Sequence, residues 1–535
     1  MPFQFLEDTK LKLAEKVKRT KDLIKEIYLA DERPWVVGYS GGKDSTCVVQ
    51  LVFEALSELD RNDLRKKVYV ISSDTRVETP LIISFIHRTL MRIQERSFQL
   101  GLPIETHKVQ PRPEESFWAL LIGKGYPSPR QKFRWCTDRL KIDPANRFIK
   151  DKVSQFGEVI MVLGVRETES GTRAQVMKSH SVEGKSLMRH STLPNSFVFA
   201  PIRDFSTDDV WEYLLNYPSP WGNDNHALLQ LYQNSNSECP LIIDEAIKES
   251  AGSCGNSRFG CWVCTVVQQD KALAGFIDNG EEWLKPMLHF RNWLYRIRDV
   301  RKYRQKRRMD GKIYFIPVKV VDKKVQNVHI DEDHLNQEVS LDKFKIIKES
   351  ELEEYLKENN IDLATVEDLN LLIEDENGQY KQLGLGPFTL QARKMILRKL
   401  LETQKAVQPP DGSHIELISV EDLKKIRQYW FEDGDWKDEL PIIFREVMGF
   451  DLDWEDNDQL FFQEDQLTDL QLLCQEYNVS FELIKQLIAI EMKHTGYKVR
   501  RGIYQEFDRI LKQDWLQLAN QEGNWKHEIQ EIDPA

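Results

Sequence analysis

A chain of 535 residues exceeds one ordinary domain, so two or three are expected. Its formal net charge of −12 excludes a protein that binds nucleic acid over its whole surface, though not one with a local basic face. The hydrophobic fraction of 41% allows a sizeable core. No run of about 20 apolar residues occurs, so no membrane span is expected and the protein is read as cytoplasmic.

Residues 1–30 form the first expected element, an amphipathic helix. From Asp8 through Lys25 it is lysine-rich and periodic in leucine and isoleucine, without the unbroken apolar core of a signal peptide. Val36–Tyr39 is the first expected strand, and Lys43–Leu59 has helical apolar spacing. Val68–Ser72 is short, β-branched and ends at Ser73-Asp74-Thr75, as a buried strand would. Thr79–Leu100 reads as a long helix, Glu105–Val109 as a third strand and Val159–Leu163 as a fourth. Tyr126–Trp135 reads as a loop, and Thr207–Tyr217 as a helix with Asp208 and Asp209 favouring its N-terminal dipole. Residues 31–275 therefore make an α/β domain with a doubly wound, mainly parallel sheet. Residues 276–340 read as a basic linker with a hairpin over Lys312–Ile330. Residues 341–535 read as an acidic, mostly helical domain for scaffolding or partner contact, its clearest helices being Leu390–Leu401 and Leu467–Met492.

In an open parallel sheet, ligands bind outside the carboxyl ends of the strands. Ser40, Asp74, Gly164 and Arg166 all fall there. Ser40-Gly41-Gly42-Lys43-Asp44-Ser45 joins a strand to a helix, so its glycines let backbone amides turn inward while the helix dipole adds positive potential. That is an anion cradle. It is not a Walker loop, because Asp44 follows the lysine. Arg166 and Arg173, in Gly164-Val165-Arg166-Glu167-Thr168-Glu169-Ser170-Gly171-Thr172-Arg173, have the donor forks to clamp a phosphate or sulfate.

Seven cysteines in such a chain are not a disulfide framework. Cys254, Cys261 and Cys264 crowd a glycine-containing loop and are one short of a four-thiolate set. Cys136, in Phe133-Arg134-Trp135-Cys136-Thr137-Asp138-Arg139-Leu140-Lys141, is the natural fourth. An iron–sulfur cluster or a structural zinc would suit them equally on chemistry alone. Cys47 and Cys474 fall at core positions, and Cys239 reads either as a loop residue or as a sulfur-carrying thiol. The run Arg301-Lys302-Tyr303-Arg304-Gln305-Lys306-Arg307-Arg308 reads either as a solvated face or as a phosphate-contacting strip.

Ser40–Ser45 resembles the PP-loop of ATP pyrophosphatases, which split ATP between the α and β phosphates. With the Gly164–Arg173 segment and Ala200-Pro201-Ile202-Arg203-Asp204-Phe205-Ser206-Thr207-Asp208-Asp209-Val210-Trp211, it resembles the PAPS reductase-like branch of that superfamily over roughly residues 30–275. Cluster-bearing reductases carry a paired cysteine where this chain has Cys136 alone. The pattern is similar to the narrower DndC-type sulfurtransferases of bacterial DNA phosphorothioation systems. The likeness runs through Arg134–Lys141, Gly164–Ser170, Cys254–Val267 and Gly386-Pro387-Phe388-Thr389-Leu390-Gln391-Ala392-Arg393.

That resemblance implies an ATP pyrophosphatase and sulfurtransferase that adenylates a DNA phosphate so that sulfur replaces a non-bridging oxygen. It implies ATP, Mg2+ and a 4Fe–4S cluster on Cys136, Cys254, Cys261 and Cys264, with zinc as the alternative. Its implied partners are DNA, a cysteine desulfurase and other Dnd proteins. The nucleotide would lie over Ser40, Gly41, Gly42, Lys43, Asp44 and Ser45, near Asp74 and Gly164. Lys43, Asp44, Arg166 and Arg173 would act on the phosphates or on a second oxyanion. The rivals are a PAPS or adenylylsulfate reductase, a tRNA thiolase and a non-catalytic ATP-binding scaffold. The intact loop favours ATP cleavage over the reductase.

Overall fold

The computed structural model describes residues 2–131, 133–167, 187–190, 193–235, 260–326, 338–359, 363, 370–435, 437–454, 464–494, 507–508 and 510–512. The chain forms two units. One comprises Met1–Phe117, Ser128–Tyr295 and Ala406–Leu417; the other comprises Trp118–Pro127, Arg296–Lys405 and Ile418–Ala535.

The first unit is built on six strands: β1 (Trp35–Gly38), β2 (Val68–Ser73), β3 (Ile104–Val109), β4 (Val159–Val162), β5 (Met188–Arg189) and β6 (Ser196–Phe199), in the order β3-β2-β1-β4-β6-β5. All neighbours run parallel except β5 against β6, with Val37 opposite Val70 on one side and Val162 on the other. Short β-branched runs suit such strands because both faces are covered. The chain adds β2 and β3 on one side of β1, then crosses to place β4 on the other. β1 and β4 therefore flank the point where strand order reverses, and the crevice opens at their carboxyl ends.

Helices cover the sheet. They are α1 (Pro2–Leu29), α2 (Lys43–Ser57), α3 (Pro80–Leu100), α4 (Asp143–Phe156), α5 (Thr207–Asn216), α6 (Asn225–Asn234), α7 (Lys271–Asp278) and α8 (Lys285–Ile297). α2 is the central one, with Cys47, Val48, Leu51 and Phe53 fully buried. Its burial explains why it is apolar nearly all round. Ile149 of α4 packs with Val36, Tyr69, Ile71 and Val159. α1 is tied to α2 by Lys21 and Lys25, both on Glu58 at 2.5 and 3.0 Å, and to α5 by Lys16 on Asp209 at 2.7 Å.

The second unit is less helical than its sequence suggests. Residues 315–383 carry β7 (Phe315–Pro317), β8 (Lys319–Val321), β9 (Lys324–Gln326), β10 (Val339–Ser340), β11 (Lys345–Lys348), α9 (Leu352–Glu358), β12 (Leu371–Glu374) and β13 (Tyr380–Leu383). They form a sheet β11-β12-β13-β7 and a ribbon β10-β9-β8. The stretch read as a linker thus supplies a strand to a sheet. The expected hairpin over Lys312–Ile330 is the tight pair β8–β9, turned by Asp322 and Lys323, both with positive φ.

Helices α10 (Leu390–Ala406), α11 (Val420–Glu432), α12 (Glu439–Met448), α13 (Glu464–Glu476) and α14 (Phe481–His494) follow. The expected helical stretch Leu467–Met492 falls in two helices. Asn478 adopts φ +51°, and the Ser480 hydroxyl accepts the Leu483 amide, so one helix stops and another is capped.

The Gly386–Arg393 segment is a clasp in this unit. Phe388 N–H donates to Gly125 O at 2.7 Å, while the buried Arg393 guanidinium grips Gly123 O and pairs with Asp433 at 2.8 Å. Gly125 has φ +74°, and a Cβ there would lie 2.6 Å from Phe388 O, so a side chain would prise the two segments apart.

Candidate functional site

The loop after β1 turns at Gly41, whose φ of +75° suits glycine, and enters α2 through Gly42. Hydroxyls lock it. Ser45 Oγ accepts the Ser40 amide at 3.2 Å and donates to Gly42 O at 2.9 Å, and Thr46 Oγ1 donates to the same carbonyl. Small side chains and backbone carbonyls therefore shape the cradle while the amides of α2's first turn face outward from the ladder.

The strand neighbour completes it. At Gly164, just past β4, a Cβ would sit 2.9 Å from Asp44 O and 3.1 Å from Ser45 N, so only glycine lets the two segments meet. Two residues on, Arg166 is buried and donates its Nε to Asp44 Oδ1 at 2.6 Å and an Nη to Thr207 Oγ1 at 3.1 Å. Asp44 Oδ2 lies 3.5 Å from Lys43 Nζ. Arg166 thus binds the loop's own carboxylate. The donor fork expected for an external oxyanion is, in this structure, directed at Asp44 and α5. The α5 motif has a local role as well: Ser206 and Asp209 form a reciprocal capping box.

Asp74, at the end of β2, accepts the Arg76 amide at 2.9 Å and Gln110 Nε2 at 2.7 Å, so its carboxylate organises the strand ends. Arg173, and with it the rest of 168–186, lies outside the described residues.

A thiol group forms next to this end of the sheet. Cys261 pairs as an isolated antiparallel bridge with Glu78, its neighbour Trp262 donates N–H to Val77 O at 3.0 Å, and Thr75 Oγ1 sits 3.4 Å from Cys261 Sγ. Burial pushes the Cys261 thiol up to about 12, against the opposing pull of Lys141. Burial, then the Cys264 charge, raises Cys136. The Lys141 ammonium is held charged chiefly by Cys261, with Glu78, Cys136 and Cys264 adding to it. Three of the four expected thiols therefore share one electrostatic neighbourhood. Cys254 lies outside the described residues, as does Cys239. Among the described residues no group of three or more His, Cys, Asp or Glu side chains is arranged to hold a metal ion. Cys136, Cys261 and Cys264 are thus described beside the Lys141 cation without forming such a group.

Several supporting residues escaped sequence reasoning. Arg291 of α8, fully buried, donates to the carbonyls of Cys264 at 2.9 Å and Gln268 at 2.7 Å, and also to Val267. Thr265 Oγ1 donates to Pro129 O at 2.8 Å. Tyr232 of α6 accepts the Lys43 amide at 3.1 Å. An arginine and a tyrosine inside amphipathic helices carry no local signal of such roles. Cys47 and Cys474 are buried, as core residues should be.

Two cations of the basic run, Arg301 and Arg304, are turned onto backbone carbonyls. Arg301 donates to Gly384 O at 2.8 Å, and Arg304, buried, donates to Gly386 O at 2.7 Å and Arg298 O at 2.6 Å. Burial lowers the Arg301 pKa to about 10. Arg308 stacks on Tyr314 at 3.9 Å.

Residues 34–267 match the phosphoadenosine phosphosulfate reductase domain. Residues 465–512 match a small protein found in certain Dnd DNA modification systems. An uncharacterized protein of Methanocaldococcus jannaschii is 25% identical over 263 residues, 49% of this chain and 42% of that protein, so the chain spans less than half the length of this curated relative. Among solved structures, a PAPS reductase from Candida auris in a phosphate complex aligns at 12% identity, covering 37% of this chain and 78% of its own, with a TM-score of 0.24. An FMN adenylyltransferase from Candida glabrata with FAD and inorganic pyrophosphate aligns at 16%, covering 43% and 67%, with a TM-score of 0.25. An NH3-dependent NAD synthetase from Campylobacter jejuni aligns at 14%, covering 45% and 93%, with a TM-score of 0.26.

Proposed function

Because this chain is a DndC-type, PAPS reductase-like protein of Dnd DNA modification systems, we propose that it cleaves ATP to AMP and pyrophosphate to activate a DNA phosphate for sulfur transfer. The carrying observation is the meeting of Ser40–Ser45 and Arg166 at the switch point between β1 and β4, with Asp44 and Arg166 2.6 Å apart.

In this reading the triphosphate lies over Ser40, Gly41, Gly42, Lys43, Asp44 and Ser45, beside Gly164 and Asp74. Lys43 and the loop amides meet the charge that grows on pyrophosphate as it leaves. A non-bridging oxygen of the DNA phosphodiester attacks the α phosphorus, and the bond to the β-phosphate oxygen breaks. The terminal sulfur of a persulfide then attacks the phosphorus of the adenylated phosphodiester, and AMP departs with the original oxygen. A second thiol cleaves the S–S bond, leaving sulfur on phosphorus and a disulfide on the donor. Asp44 would hold Mg2+, which supplies charge neutralisation for the phosphates. Arg166 keeps Asp44 in place, which leaves Arg173 as the candidate for the second oxyanion.

Cys136, Cys254, Cys261 and Cys264 would hold a 4Fe–4S cluster, or zinc as the alternative; bound there, a cluster supplies sulfur-compatible redox chemistry or a structural tie. The partners in this reading are DNA, a cysteine desulfurase as sulfur donor and other Dnd proteins.

Pyrophosphate release from ATP by the wild-type protein and by Asp44→Ala tests the enzyme, with loss of release expected in the variant. Release that does not depend on Asp44 would refute it. Mass spectrometry of nuclease-digested DNA from cells carrying wild type or Cys261→Ser tests the product, and phosphorothioate dinucleotides should vanish in the variant. The domain match over residues 34–267 favours one second reading, reduction of a sulfonucleotide. Thiol-dependent sulfite release from PAPS, without ATP cleavage, would establish it instead.

A further inference from the structure

The first amide groups of a helix have no partner within it, and in a phosphate-binding loop they are the donors the ligand uses. In α2 the amide of Thr46 closes on Gly42 O at 2.9 Å, whereas the amide of Lys43 is taken by a side chain 189 positions away, the hydroxyl of Tyr232 at 3.1 Å. The same ring lies under the Lys43 ammonium, 5.4 Å from Nζ to its centroid, and its edge contact with Trp211 at 5.1 Å fixes its tilt. The hydroxyl also accounts for Gly42, where a Cβ would come to 3.1 Å from it. One tyrosine from α6 thus touches both the backbone donor and the charged end of the loop lysine.

We propose that Tyr232 is a positioning residue of the anion cradle, its hydroxyl occupying the acceptor position on the Lys43 amide that a phosphate oxygen takes when ligand binds. The inference rests on reading Ser40–Ser45 as the phosphate-binding loop. A neutral hydroxyl keeps the amide satisfied and aimed outward. A phosphate oxygen makes a charge-assisted bond roughly twice as strong and also meets the lysine, so it displaces the hydroxyl while the ring keeps carrying the ammonium. No covalent step is involved.

Tyr232→Phe retains the ring and deletes the competing acceptor. Inorganic pyrophosphate is the probe, titrated calorimetrically against the full chain. Its affinity should rise roughly three- to tenfold in the phenylalanine variant, the worth of one exchanged hydrogen bond. Tyr232→Leu, which also removes the ring, should bind more weakly than Tyr232→Phe. If wild type binds pyrophosphate and Tyr232→Phe binds it equally or less tightly, this role for Tyr232 is overturned and the loop reading stands. If wild type binds neither pyrophosphate nor ATP, the loop reading fails and the inference falls with it. Should Tyr232→Phe not fold, 4-fluorophenylalanine incorporated at position 232 offers the same comparison, keeping the ring without the hydroxyl.

Discussion

Arg166 donates its Nε to Asp44 Oδ1 at 2.6 Å, joining the strand end that follows β4 to the first turn of α2. The pair is largely shielded, with side-chain exposures of 4% and 22%. Removing Arg166 leaves the Asp44 carboxylate with Lys43 at 3.5 Å in place of a 2.6 Å bond. Arg166→Met should therefore cost about 2–4 kcal/mol of unfolding free energy, and Asp44→Asn in that background should restore part of it. A double-mutant cycle by chemical denaturation measures the coupling. Additive losses would show that the pair does not organise the loop.

Arg291 should matter as much to the cysteine loop as a ligand would. Its guanidinium satisfies carbonyls of Cys264, Val267 and Gln268, which no short side chain could reach together. Arg291→Leu should lower stability by about 3 kcal/mol. It should also speed labelling of Cys261 and Cys264 by a thiol reagent under native conditions. Unchanged labelling would mean that the loop is held by other contacts.

The contact of Lys16 with Asp209 has a definite pH signature. Burial raises the Asp209 carboxyl, but the Lys16 bond and the Ser206 amide outweigh it and leave its pKa below the ordinary range. A carboxylate depressed in the folded state contributes stability above its unfolded value, about 3.9, and loses it as pH falls through the folded value. The stability difference between wild type and Asp209→Ala should be full at neutral pH and should shrink only below about pH 4. A difference that persists unchanged in stronger acid would rule out the ionic part and leave the cap alone.

If DNA is the partner, the lysines exposed on and between the second unit's small strands, Lys319, Lys323, Lys343 and Lys348, are better phosphate contacts than Arg301 and Arg304. Arg301 and Arg304 already serve the backbone of residues 384–386. Lys319→Glu with Lys323→Glu should weaken duplex binding and lower the slope of log K against log salt by about 2. Arg304→Met should instead destabilise the unit. Equal DNA affinity in the lysine variant would reject the surface.

Anaerobic purification should give a protein with visible absorbance that Cys136→Ser or Cys261→Ser abolishes. A colourless protein with stoichiometric zinc would reverse the cluster assignment.

The α/β architecture was legible because its signals are local. Val36-Val37, Val68–Ser72 and Val159–Leu163 are short apolar runs between helical periods, and each is a parallel strand. The loop Ser40–Ser45 was legible for the same reason, since glycines and a helix start are written in consecutive residues. The second unit was less so. Its strands over 315–383 are only two to four residues long, and Asn478 breaks a helix whose apolar period runs on across it.

By itself the sequence determined the mainly parallel sheet and the glycine turn that opens α2. What only the tertiary structure decided is which groups those residues face. Arg166 turns to Asp44, Arg291 holds the carbonyls after Cys261, Arg304 is spent on Gly386, and Tyr232 reaches the Lys43 amide. The physical reason is range. Strand, turn and helix preferences arise from neighbours a few residues apart, whereas a buried arginine or tyrosine finds its acceptor across the fold, where no local pattern records the pairing.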